Sequence, residues 1–163
     1  MQLTSLMLDY LGVARSVIEK GHIVVPAWRI ETVEGTYLVL THFHDDQPKE
    51  RERLVKLVAR FMAWKMATSF VLAAQTWLEP LRKGGEALIV VGLSRNERFG
   101  VAQRIVRDEG LQFGPVQWLM PAQLDEAYFR LLPQASTTLT HTEVAELDFI
   151  FGPGGELEAD KLD

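Results

Sequence analysis

The sequence predicts an α/β (or α+β) protein: a small mixed sheet of about four strands arranged around one long central helix. Three observations carry this. A helical pattern runs from Pro48 to Pro80 without an intervening Gly or Pro. The short apolar run Glu86 to Leu93, EALIVVGL, reads as a strand covered on both faces, as in a parallel sheet. Strand-like and helical stretches also alternate, which argues for βαβ crossovers. The expected order is α-β-β-α-β-α-β-α-α.

The elements follow in chain order. Leu3, Leu6, Met7, Tyr10, Leu11, Ala14, Val17 and Ile18 recur at helical spacing, so residues 3–20 form an amphipathic helix closed by Gly21. An extended stretch then runs from His22 to about Thr32, with Pro26 marking an edge or a bulge. Glu34-Gly35 is a turn signal, and Thr36 to His44 is a second strand rich in β-formers. These two strands pair as an antiparallel hairpin.

Asp45 and Asp46 can cap the long helix, and Pro48 suits its first turn. In its first half Leu54, Leu57, Val58 and Phe61 share a stripe, with Glu52, Arg53, Lys56 and Arg60 opposite. In its second half Met62, Met66, Phe70, Ala73 and Trp77 define a face turned about a third of a circle round. A helix with two buried sides packs against two bodies, such as a sheet and a second subunit.

Ser94-Arg95-Asn96-Glu97 has the spacing of a capping box and opens a helix to about Asp108. Phe99, Ala102, Ile105 and Val106 lie on its inner side. Gln112 to Met120 reads as a strand in which Gly114-Pro115 marks a bulge or edge position. Pro121 begins a helix to about Leu132. Pro133 to Thr140 is a polar linker. Thr140 to Glu143 is a second capping box, for a helix bearing Val144, Leu147 and Ile150. Residues 1–133 thus form one domain, and residues 134–163 a linker, a short helix and a mobile acidic tail.

The 163 residues suffice for one hydrophobic core. The apolar run Met66 to Leu78 is too short to span a bilayer, and the first residues carry Asp9 and no basic region, so a cytoplasmic protein without membrane contact is expected. The absence of Cys excludes disulfides, thiolate nucleophiles and cysteine-ligated zinc. The net charge of −5 is uneven: residues 1–110 hold 15 basic against 13 acidic side chains, and residues 111–163 hold 2 against 9. An acidic end argues against nucleic acid as a partner.

Two clusters are candidates for chemistry. His42 and His44 point to one face of a strand, with Asp45 and Asp46 just beyond, a donor set for a divalent metal. A metal-activated water would then make a hydrolase, with Glu97 or Asp125 as general base. Ser94, Arg95, Asn96 and Arg98 surround an expected helix N-terminus, which offers free N–H groups to an anion. If strands 36–44, 86–93 and 112–120 run parallel, their carboxyl ends bring both clusters, with Gln123 and Asp125, to one edge of the sheet.

No phosphate-binding glycine loop, zinc-protease helix or nucleophile elbow is present. The leading expectation is therefore a small binding or interaction module that self-associates through the central helix. The alternatives are the metal-dependent hydrolase and a nucleic-acid-associated protein using the basic residues Lys49, Arg51, Arg53, Lys56 and Arg60.

Overall fold

The computed structural model describes residues 2–42, 47–77, 85–124, 131–132 and 138–162. Helix α1 spans Leu3–Glu19, and strands β1 (Ala27–Thr32) and β2 (Gly35–Leu40) follow. Helix α2 spans Pro48–Trp64 and leads into β3 (Ala67–Trp77). Then come β4 (Glu86–Ser94), β5 (Arg98–Val106), β6 (Gln112–Phe113) and β7 (Gln117–Leu119). A single 3-10 turn at Pro121–Gln123, helix α3 (His141–Ile150) and strand β8 (Ala159–Leu162) complete the described chain.

The strands form one eight-stranded sheet in the order β6-β5-β4-β3-β1-β2-β8, with β7 also paired to β5. Every strand pairing in it is antiparallel. This corrects the expected small mixed sheet of about four strands around one long helix. A mixed α/β composition remains, but the sheet is the organising element.

Two local substitutions of strand for helix produce most of the difference, and the division of 112–120 into β6 and β7 and the pairing of β8 supply the rest. The long helical pattern ends at Trp64, and Lys65 closes the helix with its N–H on Phe61 O at 2.9 Å. Met66 then takes a left-handed backbone conformation, φ 54°, and the chain turns into β3. So the expected two-faced helix does not exist, and Met62 and Phe70, read as one helical face, come from α2 and β3. Both are fully buried in one core. The segment after Ser94 is likewise β5, not a helix.

The sheet is sandwiched. Trp28, Ile30, Tyr37, Val39, Phe70, Leu72, Val91 and Leu93 point to one face, where Val58, Phe61 and Met62 of α2 cover them. Val71, Ala73, Leu88, Val90, Val101 and Ile105 point to the other, under Leu6, Met7, Leu11, Ala14 and Ile18 of α1. This is the two-residue alternation of strands buried on both sides.

Helix α1 approaches β4 closely because position 92 is glycine. A Cβ there would lie 2.5 Å from the Met7 sulfur. On the other face, Trp28 donates its indole N–H to Thr41 Oγ1 at 3.1 Å, satisfying two polar groups at the floor of the core.

Helix α3 opens as its sequence implies. The Glu143 N–H donates to Thr140 Oγ1 at 3.1 Å, and the Thr140 N–H donates to the Glu143 carboxylate at 3.2 Å. The Thr140 backbone bond holds the Glu143 carboxyl below the usual range. Helix α3 packs on the outside of α2 through Ile150, with Phe151 just after it, against Leu54 and Leu57. Leu157 is buried in the same cluster, and β8 pairs with β2. Residues 157–162 of the acidic tail therefore contribute a buried side chain and an edge strand.

Candidate interaction surface

Among the described site residues, His42 lies apart from the Ser94–Arg98 segment. His42 follows β2 and is exposed, in an open depression lined with Gln47, Pro48, Lys49 and Glu50. His44, Asp45 and Asp46, the other members of the metal set, and Asp125 lie outside the described residues. Among the described residues no three His, Asp or Glu side chains group as a metal site.

Ser94, Arg95, Asn96 and Glu97 form the hairpin between β4 and β5. The Ser94 N–H donates to Glu97 O at 2.9 Å, and the Glu97 N–H donates to Ser94 Oγ at 3.1 Å. The Ser-x-x-Glu bond expected of a helix cap is made, but it closes a turn. No helix N-terminus stands here, so the argument for an anion beside Arg95 and Arg98 loses its free N–H groups.

The register also fixes the ends of the strands. Strand β1 runs against both β2 and β3, and β4 runs against β3. So β2 and β4 run in opposite directions. Leu40 pairs with Ala27 at the start of β1, whereas Ser94 pairs with Ser69 and through it with Glu31, near the end of β1. His42 and Glu97 therefore sit beyond opposite ends of the sheet. The expected convergence required parallel strands 36–44 and 86–93, and it does not occur.

Two basic residues of α2, Arg53 and Lys56, are held by acids. Arg53 bonds to Glu50 at 2.7 Å and also pairs with Glu156, while Lys56 meets Glu52 at 3.2 Å. The two carboxylates raise the Arg53 guanidinium, and Arg53 holds the Glu50 carboxyl below its usual range. Lys65 lies 4.0 Å from the centre of the Trp64 ring and 3.7 Å from Glu34, so it too is held locally.

What the structure does single out is one margin of the sheet. A sheet edge carries unpaired N–H and C=O groups, and proteins guard edges with charge or with short, bulged strands. Strand β8, at the β2 side, is guarded by charge: its sequence is Ala-Asp-Lys-Leu and its last three residues are exposed. The opposite margin is formed by β6 and β7 on β5. Phe113 pairs with Ile105 and Gln117 with Ala102, so β6–β7 contains one extra residue around Gly114-Pro115-Val116. The bulge expected at Gly114-Pro115 is thus present. It is pinned from both sides, with the Gly114 N–H on Arg104 O at 3.0 Å and Gln103 Nε2 donating to Gly114 O at 2.8 Å.

The chain is uncharged on both sides of the bulge. Gly110 to Leu124 contains no Asp, Glu, Lys or Arg. Trp118 pairs with Val101 on the α1 side of the sheet and meets Phe99 edge-to-face at 6.3 Å between centroids. Val116 and Met120 stand two residues to either side of it. The three remain 38%, 48% and 67% exposed in the order Val116, Trp118, Met120. Leu119 points the other way, against the position of Gly100 and beside Leu124. Among the described residues no strand pairs with the outer side of β7.

Sequence reasoning read 112–120 as a strand but did not single out Trp118. The available signal was an alternating Val-x-Trp-x-Met row inside a charge-free run of an acidic chain. No helix among the described residues is long and apolar enough to cross a membrane. No family model, curated protein or solved structure matches the chain.

Proposed function

We propose that this protein is a non-catalytic interaction module whose working surface is the β7 margin of its sheet. Its ligand is an extended polypeptide segment that adds a strand there. The carrying observation is the half-exposed Trp118 on a margin without charge: β8 is charged, whereas β7, short and preceded by a bulge, lies in a charge-free run in which Val116, Trp118 and Met120 are exposed. In strand addition the main-chain ladder supplies affinity, and alternate side chains supply selectivity. A half-exposed Trp flanked by apolar residues is the type of anchor that dominates such interfaces.

An array of extended peptides with alternating apolar residues tests this. Binding is expected for the native protein, with loss of binding in Trp118→Lys and for peptides N-methylated along their pairing edge. If no peptide binds, or if N-methylation changes nothing, strand addition at β7 is refuted.

A further inference from the structure

The partner segment at this margin can be assigned, and the assignment rests on the reading of β7 as a docking strand. We infer that β7 pairs with β7 of a second copy, antiparallel about a two-fold axis normal to the sheet, joining two eight-stranded sheets into one.

Two observations support a second copy as the occupant, and a third limits how strongly it pairs. The first is electrostatic. A chain with net charge −5 that meets its own copy juxtaposes like charges over most of its surface. The stretch Gly110 to Leu124, with no charged residue, lets two copies meet without that repulsion.

The second is self-complementarity. A two-fold axis normal to the sheet leaves each face on its own side, so both Trp118 side chains fall on the α1 face of the joined sheet. With the axis at Trp118, the pairing sets Trp118 against Trp118 and Val116 against Met120 of the other copy. Every cross-strand pair in the row is then apolar, and aromatic pairs at such positions stabilise a sheet. The closed symmetry uses one patch twice and stops at two copies.

The third is the bulge. Gly114-Pro115 re-aims the chain between β6 and β7, and Pro115 has no N–H to give to a ladder. The new pairing is thus confined to a short strand. Val116, Trp118 and Met120 together expose roughly 300 Å² per copy, below the roughly 800 Å² per partner of a standard stable interface. The dimer is accordingly a weak, concentration-dependent one.

Sedimentation velocity over two decades of concentration centred on roughly 100 µM tests the assignment, in parallel with hydrogen exchange. The mass is expected to rise from one chain towards two, with the amides of residues 116–120 gaining protection over the same range. Trp118→Lys and Met120→Lys, each at an exposed position and checked for native circular dichroism, should weaken association more than tenfold. A monomer at every concentration overturns the second-copy assignment while leaving the peptide array to judge strand addition itself. A dimer that survives both substitutions, or forms without protection at 116–120, overturns it as well, because the interface then lies elsewhere.

Discussion

Replacing Leu157 by Ala measures how firmly the C-terminal segment is fastened. Leu157 is 4% exposed and packs with Leu54 and Leu57 of α2, beside Ile150 and Phe151. It is the only buried side chain between α3 and β8 among the described residues, and β8 holds the outer side of β2 at four paired positions from Thr36 to Val39. Buried Leu→Ala changes cost about 2–5 kcal/mol, with the lower values where neighbours can collapse into the space. This cluster lies on the outer side of α2, so about 2–3 kcal/mol is expected. For a domain of this size each kcal/mol lowers the melting temperature by about 2–4 °C, which gives a fall of about 4–12 °C. Thermal melts followed by circular dichroism report it, with Leu162→Ala, at a position 40% exposed, as the control that should change stability by less than about 0.5 kcal/mol. A melting temperature for Leu157→Ala within one degree or so of the native value would refute the docking of this segment and restore a freely moving tail.

Three other perturbations probe different links. Met66 is 58% exposed with φ 54°, so Met66→Gly should raise stability by about 0.5–1 kcal/mol in denaturant titrations, whereas a loss would place that turn elsewhere. Gly92→Val puts atoms into the Met7 and Leu3 side chains and should cost about 1–3 kcal/mol in denaturant titrations; an unchanged stability would mean α1 does not rest on β4. Burial pushes the Tyr10 hydroxyl from 10.0 up to about 12, against the lowering effect of Arg29. A folded value above the unfolded one means that stability present below about pH 10 is lost as pH rises through 12. Absorbance at alkaline pH should show late ionisation for Tyr10 and Tyr37 in the native protein, and a titration in which every tyrosine ionises near 10 would contradict the burial.

Much of the element list was readable, and the misreadings have physical causes. Helix α1, the β1–β2 turn at Glu34-Gly35, the Pro48 start of α2, the β4 core run and the Thr140 capping box each carry a strong local signal, and each appears where the sequence places it. The stretch after Lys65 carried no such signal. Strand β3 is covered on both faces, so its Phe70, Val71, Leu72 and Ala73 show no polar alternation, and the break before it falls on Met66, a residue with no turn preference. In β5 the helical set Phe99, Ala102, Ile105 competed with the alternating set Phe99, Val101, Gln103, Ile105, and tertiary pairing on both sides decided for the strand. Ser94 and Glu97 misled because one side-chain bond serves both a helix cap and a tight turn. The candidate surface was legible only as a strand, since exposure of Trp118 depends on which margin of the sheet it occupies.

The strand order also sets a sequence of events in folding. Strands β3, β4, β5 and β7 follow one another in the chain and pair with short separations, as Leu72 with Val91 and Val101 with Trp118. The β1–β2 hairpin is local as well, but both of its outer sides join distant segments. Trp28 meets Leu72 across the first seam, and Val39 meets Ala159 across the second. Closing a long loop costs entropy before any contact offsets it, and topology of this kind sets the rate. The central meander from Ala67 to Leu119 therefore carries the smaller closure costs. Strand β8 faces the largest closure, since it pairs with β2 across more than a hundred residues, whereas the local β1–β2 hairpin reaches β3 across a much shorter loop.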